Sequence, residues 1–389
     1  MLILSIETSC DETAVSFVQA DGEFPNATYE ILGNGLWSQV DVHAEYGGVF
    51  PALAKREHGR TLVPMLKDAA EGAGILEDHS TDLTEADVKK LHELLEREEG
   101  LADTLIEFFK EHSLPKIDLI AVTSGPGLEP ALWVGLSFAK ALAHVTGTNV
   151  IPTNHMEGHI LASIYDADRD DMLSDIGFPA ISLLISGGHT ELITMSDWGT
   201  YKKIGQTRDD AVGEAFDKVA RLVGLPYPGG PAISKLAASA RKEELPEFAK
   251  LPRPMLNSGD LDFSFSGLKT AVRYAVAEKE LTDNEKCAVA RDFEDAVTET
   301  LVKKASTAVA DNSAKTLIVG GGVSANQFIK RAFEEHFLNE FPDCTVYFPS
   351  PSLATDNSIM IALAGHARAT GALSPAGAEG VRADGNKSL

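Results

Sequence analysis

Two histidines four residues apart, in the segment His155-Met-Glu-Gly-His159, are the first feature of this chain that could do chemistry. Positions i and i+4 share one face of a helix, so two imidazoles at this spacing can hold a single cation. Glu157 stands two residues after the first histidine. A zincin protease carries its general base directly after that histidine, so metal-dependent peptide hydrolysis is disfavoured. The bland alternative is a chance pair on a solvated helix, against which the neighbouring Asn154 and Gly158 speak. A third ligand must come from elsewhere, and spacing alone does not name it.

Several glycine-rich turns could cradle phosphate. Ser186-Gly187-Gly188-His189-Thr190 follows the apolar run that includes Leu184 and Ile185, and such a turn offers backbone N–H groups to phosphate oxygens. Gly320-Gly-Gly-Val-Ser-Ala325 fits a dinucleotide fingerprint, but the next strand, 345–348, ends in Pro349-Ser-Pro351 where an acid should stand. A Rossmann dehydrogenase is therefore disfavoured. Gly125-Pro126-Gly127 has a proline inside the would-be phosphate loop, and no G-x-x-x-x-G-K-[ST] motif occurs. Acids run through Asp209-Asp210 to Glu214 and Asp217. They suit the dipole of a helix start, while Asp217 is also placed to grip a ribose or substrate hydroxyl. Tyr227-Pro-Gly-Gly230-Pro is a rigid turn that either closes tightly or lets backbone approach a ligand. Asp356, ahead of Asn357, reads by itself as a helix N-cap.

These residues need elements to position them. Leu2–Ile6 and Ala14–Val18 read as a hairpin around the polar turn Ser9-Cys-Asp11-Glu-Thr13, and a helix follows from Pro51. The segment 75–113 is charge-rich and reads as an exposed helical insertion. A strand over 117–123, the turn Ser124–Gly127 and a helix over 130–146 come next. The second half repeats the plan: strand 179–185, polar turn, strand 191–195, then strand 316–319, a glycine turn and a helix from about Ser324. The expected organisation is a first lobe over 1–150, a second over 151–350, a returning helix over 351–370 that carries Asp356, and a frayed tail over 371–389. Two such α/β lobes would set hairpin turns and helix N-termini around a nucleotide cleft.

Composition bounds the function. The chain has 389 residues, 44% hydrophobic and 24% charged, which excludes a disordered or collagen-like chain. No apolar run reaches the roughly 18 residues that span a bilayer. Three scattered cysteines argue against a disulfide framework or a cysteine-based zinc site and fit a reducing cytoplasm. With 34 basic against 58 acidic residues, the net charge of −24 argues against autonomous, non-specific binding of nucleic acid.

Taken in order, the motifs resemble the universal tRNA threonylcarbamoyladenosine synthase family, whose members also carry the label O-sialoglycoprotein endopeptidase. The matching stretches are Ile6-Glu-Thr-Ser-Cys-Asp-Glu-Thr13, Gly47-Gly-Val-Phe-Pro-Ala-Leu-Ala-Lys-Arg-Glu-His58, Ser124-Gly-Pro-Gly-Leu128, Asn154-His-Met-Glu-Gly-His159 and Leu184-Ile-Ser-Gly-Gly-His-Thr190. Gly213-Glu-Ala-Phe-Asp-Lys218, Tyr227-Pro-Gly-Gly-Pro231, Phe263-Ser-Phe-Ser-Gly-Leu-Lys269, Gly320-Gly-Gly-Val-Ser-Ala-Asn326 and Ala354-Thr-Asp-Asn357 continue it. The resemblance implies a duplicated actin-like ATPase fold of two α/β lobes. It implies transfer of threonylcarbamoyl from threonylcarbamoyl-AMP to the N6 amine of adenosine 37 in tRNAs that read codons beginning with A. On the matching positions, His155, His159 and Asp356 look like ligands of one iron or zinc ion. Leu184, Ile185, Ser186, Gly187 and Gly188 look like a phosphate-side loop, and Asp217, Gly230 and Asn326 like contacts to the nucleotide part. Asp11, on the first hairpin turn, is the candidate for accepting the amine proton. The resemblance further implies a metal-free paralogous subunit and a small ATPase as partners; the histidine pair argues against this chain being that paralogue.

Two departures from the family pattern stand out: the insertion at 75–113 is longer than usual, and the tail lacks a recognisable family ending. Rival activities are a sugar or acetate kinase of the same fold class, which would not need His155 and His159, and a non-enzymatic nucleotide-dependent scaffold, which would need neither Asp11 nor His159.

Overall fold

The structure is a computed structural model that describes residues 1–167, 171–277 and 279–389. The chain forms two compact units, Met1–Ser174 with Asp356–Leu389, and Asp175–Thr355. The first unit thus runs past the boundary expected at 150/151 and holds all of the helix with the histidine pair.

In the first unit, β1 (Leu2–Glu7), β2 (Glu12–Asp21) and β3 (Thr28–Ser38) form an antiparallel meander. A short helix α1 (Val40–Ala44) leads to α2 (Pro51–Gly72), with Pro51 at its first turn, where a missing N–H costs nothing. Two helices, α3 (Glu85–Leu94) and α4 (Leu101–Glu111), precede β4 (Leu119–Gly125), α5 (Glu129–Thr146) and β5 (Val150–Asn154). Then come α6 (His155–Ile164) and the two-residue strands β6 (Tyr165–Asp166) and β7 (Met172–Leu173). The sheet order is β5-β4-β1-β2-β3-β7-β6, with β1, β4 and β5 parallel. β4 is buried at every residue, as a strand covered on both faces must be, and its sequence Leu-Ile-Ala-Val-Thr-Ser-Gly is accordingly a run without alternation.

β3 did not announce itself in the sequence, because glycines at 33 and 35 break its apolar pattern. The fold explains them: a Cβ at either position would collide with backbone oxygens of α2, at Ala69 and Met65. The segment 75–113, expected as an exposed insertion, is instead half core. Leu91, Leu95, Leu105, Ile106 and Phe109 are buried in one cluster with α2 and α5. Its charged residues occupy only the outward faces of two amphipathic helices.

The second unit contains β8 (Ala180–Ile185), β9 (Thr190–Asp197) and β10 (Thr200–Gln206), again an antiparallel meander. After it stand α7 (Val212–Leu222), α8 (Gly229–Lys242), α9 (Ser266–Val276) and α10 (Asp283–Asn312). β11 (Thr316–Gly320), a 3-10 turn at Gly322–Ala325, α11 (Gln327–Glu340) and β12 (Thr345–Tyr347) complete it. The order β10-β9-β8-β11-β12, with β8, β11 and β12 parallel, reproduces β3-β2-β1-β4-β5 strand for strand. This repeat is the duplicated α/β architecture of the actin-like ATPase fold.

The chain then returns to the first unit as α12 (Ser358–Ala367) and the short α13 (Pro375–Ala378). The tail is packed rather than frayed. Asp384 N–H donates to the Ser124 carbonyl (2.9 Å), Lys387 Nζ reaches Ser124 Oγ (2.7 Å), and Asn154 Nδ2 donates to the Ser388 carbonyl (3.2 Å). Among the described residues, no helix is long and apolar enough to cross a membrane.

Candidate metal centre

The histidine pair sits on the first two turns of α6, a helix buried at all ten residues. It is therefore no solvated surface helix. Asn154 starts it: its Oδ1 accepts from Met156 N (2.8 Å) and Glu157 N (3.4 Å), satisfying donors that a helix N-terminus leaves open. The two rings lie 4.7 Å apart, centroid to centroid, nearly perpendicular. Helix α12 packs across α6 at Gly158, where an added Cβ would meet Met360 Cγ at 3.0 Å and Ile361 Cδ1 at 3.3 Å. The glycine between the histidines is thus what lets the helices come this close.

That crossing delivers the third residue. Asn357 caps α12 through its Oδ1 on Met360 N (2.9 Å), so Asp356, expected as the cap, has no capping duty. Its Oδ1 lies 3.4 Å from His155 Nε2 and 3.1 Å from His159 Nε2. One ligand atom from each of the three residues lies within 4.8 Å of the others. Ligands about 2.1 Å from a common cation stand about 3.0–3.4 Å apart in tetrahedral or octahedral arrangements. His159 Nε2 is buried and makes no hydrogen bond. A buried nitrogen that faces a carboxylate without a well-formed hydrogen bond is costly, and it points into the group of donors. Two imidazoles and a carboxylate in this arrangement fit a transition-metal ion.

Behind the triad stands a residue that sequence reasoning passed over. Glu7, at the end of β1, is fully buried, and its Oε2 lies 3.1 Å from His155 Nδ1. Thr123 Oγ1 donates to the same oxygen (2.6 Å), and the Ser9 N–H donates to the other. Ser9 Oγ lies 3.2 Å from His155 Nδ1. A signal was available, since an acid ending an otherwise apolar strand rarely enters a core without a partner. Burial, the strongest influence, pushes Glu7 up, but the His155 charge together with the hydrogen bonds from His155 and Thr123 overcomes it and holds the carboxyl below the usual range. Burial likewise opposes charge on His155, yet Asp356 first and Glu7 next lift it well above an ordinary histidine. Asp356 is held far below the carboxylate range, burial being overcome by His155 and then His159.

Asp11 lies on the β1–β2 turn, nearly buried. That turn is pinned from behind: Gln39 N donates to the Asp11 carbonyl (2.9 Å), and His58 Nε2 lies 3.0 Å from the Cys10 carbonyl. A carbonyl only accepts, so Nε2 carries the proton and Nδ1 accepts from Thr13 Oγ1 (2.8 Å). Burial first, then Asp11 and Asp356, push Glu12 well above the usual carboxyl range. The same three causes, in that order, push the Cys10 thiol up. A thiol held in its neutral form is a poor nucleophile.

The remaining candidates lie in the second unit. Leu184 and Ile185 are fully buried core residues of β8, so only their backbone could meet a ligand. Ser186 takes its N–H to the His189 carbonyl (2.9 Å) and its hydroxyl to the His189 N–H (3.1 Å), while Gly187 and Gly188 are exposed at the tip of the turn. The start of α7 meets this turn, with Gly213 N donating to the Ser186 carbonyl (3.1 Å). Asp217, one turn along α7, accepts from Gly229 N (2.7 Å) at the start of α8, beside Gly230. Asn326 already has work: Oδ1 caps α11 at Phe328 N (2.9 Å), and Nδ2 donates to Glu294 (2.7 Å). Asp209 and Asp210 are likewise engaged, the first accepting from Phe265 N (2.8 Å) and the second pairing with Lys218 and Lys269.

The chain matches the family model described as tRNA N6-adenosine threonylcarbamoyltransferase over residues 30–81 and 98–363. The protein of that name from Nitrosomonas europaea is 41% identical over 368 residues, 95% of this chain and 93% of its own length. Its namesake from Ralstonia pickettii is 40% identical over 373 residues, 95% of this chain and 91% of its own. Among solved structures, component A of the Acidaminococcus fermentans (R)-2-hydroxyglutaryl-CoA dehydratase aligns over 97% of this chain and 99% of its own. With a TM-score of 0.47 and 12% identity, that likeness says nothing of function.

Proposed function

Because this chain belongs to the tRNA N6-adenosine threonylcarbamoyltransferase family, and is therefore a transferase that modifies tRNA, we propose that it moves threonylcarbamoyl from threonylcarbamoyl-AMP to the N6 amine of adenosine 37, in tRNAs reading codons that begin with A. The observation that carries the proposal beyond family membership is the buried convergence of His155, His159 and Asp356. A kinase or a scaffold of this fold has no use for such a group of donors.

His155, His159 and Asp356 would hold an iron or zinc ion, which supplies a Lewis acid for carbamoyl, carboxylate or phosphate oxygens. The donor is a mixed anhydride, already activated, and the exocyclic amine is a weak nucleophile, so positioning and charge stabilisation should dominate. The amine nitrogen bonds to the carbamoyl carbon, the carbon–oxygen bond to phosphate breaks, and AMP leaves with the electron pair. Asp11 is our candidate for taking the amine proton. The exposed N–H groups of the Gly187-Gly188 turn, with the start of α7, suit phosphate oxygens. Asp217 and the Gly229-Gly230 backbone suit the ribose. Asn326 contributes by fixing the start of α11 as well as by any direct contact.

A reaction on tRNA fits a cytoplasmic setting. With a net charge of −24 the chain gains little from its own field in attracting RNA, which favours help from partners: a metal-free paralogue and a small ATPase. Purified chain, threonylcarbamoyl-AMP and unmodified tRNA, with and without those partners, should yield threonylcarbamoyladenosine by mass spectrometry. The double variant His155→Ala/His159→Ala should give none. Product formed equally by that variant would remove the metal from the mechanism; no product in any combination, with nucleotide binding demonstrated, would return the kinase or scaffold.

A further inference from the structure

We infer that Glu7 is a positioning residue for the metal centre: it holds His155 in the tautomer and ring orientation that aim Nε2 at Asp356 and His159. The inference rests on the proposed metal reading of that triad. An imidazole binds a cation through a bare nitrogen, and which nitrogen is bare depends on the partner of the other. Here the charged partner at Nδ1 is Glu7 Oε2, at 3.1 Å, in a position with no exposure to water, with the neutral Ser9 hydroxyl beside it at 3.2 Å. An ionised carboxylate only accepts, so the proton between the two groups stays on Nδ1, and Nε2 is left for the cation.

Glu7 is itself held from two further directions. Thr123 Oγ1 on β4 donates to Oε2 and the Ser9 N–H to Oε1, so three donors converge on one carboxylate. Such a cradle needs a residue that accepts on both oxygens and donates nothing. Glutamine has the same shape but would turn two N–H bonds toward donors. It would break one of the three contacts or drive His155 to the other tautomer, which protonates the nitrogen that a metal needs. Removal of partners behind ligating histidines generally costs 10–100-fold in metal affinity.

The test uses full-length chain stripped with a chelator and titrated with Co²⁺, read by its visible absorption and by direct metal analysis. Wild type, Glu7→Gln, Glu7→Asp and His159→Ala are compared. Glu7→Gln should bind Co²⁺ about 10–100-fold more weakly, with an altered absorption spectrum. Glu7→Asp keeps an acceptor-only carboxylate and should recover part of the loss. Thermal unfolding of the metal-free proteins separates folding from binding: a Glu7→Gln protein that melts earlier but binds Co²⁺ with wild-type affinity and spectrum overturns the inference and leaves Glu7 as core. If Glu7→Gln does not fold, the ring ¹⁵N shifts of His155 in the Zn²⁺-loaded wild type carry the test: a proton on Nδ1 is expected, and a proton on Nε2 overturns the inference. Equal binding by wild type and His159→Ala would instead sink the metal reading itself.

Discussion

His58 should make this protein acid-sensitive in a way that can be worked out in advance. It is fully buried on α2, and burial holds its imidazole down at about 4, against 6.5 for a free histidine, despite the Cys10 carbonyl's opposing pull. The folded pKa is the lower one, so between these values the unfolded chain binds more protons. Stability therefore rises with pH across this window and is lost as pH falls. At pH 7 neither form carries much charge. At pH 5 the unfolded imidazole is almost fully protonated and the folded one about one-tenth so, a penalty of about 2 kcal/mol that levels off near 3 kcal/mol below pH 4. The same His58 pins the turn that carries Asp11, so the loss falls on the turn to which we assign the amine proton. The assay is urea unfolding at pH 7 and pH 5 of wild type and His58→Gln, both in a Trp198→Phe background so that Trp37 and Trp133 report the first unit. His43, also lowered by burial, is present in both proteins and cancels to first order. The variant should start less stable but lose about 2 kcal/mol less between the two pH values. Parallel pH dependence in the two proteins would show that His58 accepts its proton freely in the folded state, and the burial reasoning would fail.

Other parts of the structure make equally definite predictions. Gly158→Val should push α12 off α6, because even a bare Cβ at that position already crowds Met360 and Ile361; Co²⁺ affinity should fall at least about 10-fold with far-UV circular dichroism unchanged, and retained affinity would mean that the crossing does not set the triad. Deleting Asp384–Leu389 removes the bonds to Ser124, Gly127 and Asn154 and should cost about 2–4 kcal/mol at about 1 kcal/mol for each net hydrogen bond. A frayed tail would leave the melting temperature where it was. Thr282→Ala breaks a capping box in which Thr282 and Glu285 satisfy each other's backbone N–H at the start of α10; unfolding of the second unit, followed by Trp198 fluorescence, should be easier by about 1 kcal/mol.

Much of the fold is legible in the chain because its central strands and helices carry strong local patterns. The unbroken apolar run of β4, the proline at the start of α2 and the repeated strand–turn–strand plan need no long-range information. Three features resisted. β3 was hidden because its glycines answer to α2, which approaches from outside the strand. The segment 75–113 read as surface because amphipathic helices are charged by composition, whatever their inner face touches. The tail read as loose because, Lys387 aside, its residues dock through backbone groups, which leave no side-chain signature.

The candidate site divides along the same line. Sequence alone determined the pair: His155 and His159 share a helix face because 3.6 residues make a turn, and that holds wherever the helix ends up. It also determined the family, since ten short motifs stand in one order over most of the chain. Only the tertiary structure decided that the helix is buried, that Asp356 is free of capping because Asn357 does that work, and that Glu7 backs His155 across 148 residues of sequence. Those contacts arise where β1 and β4 pair and α12 crosses α6. Pairing and crossing depend on summed packing over many residues, and no window of local sequence contains that sum.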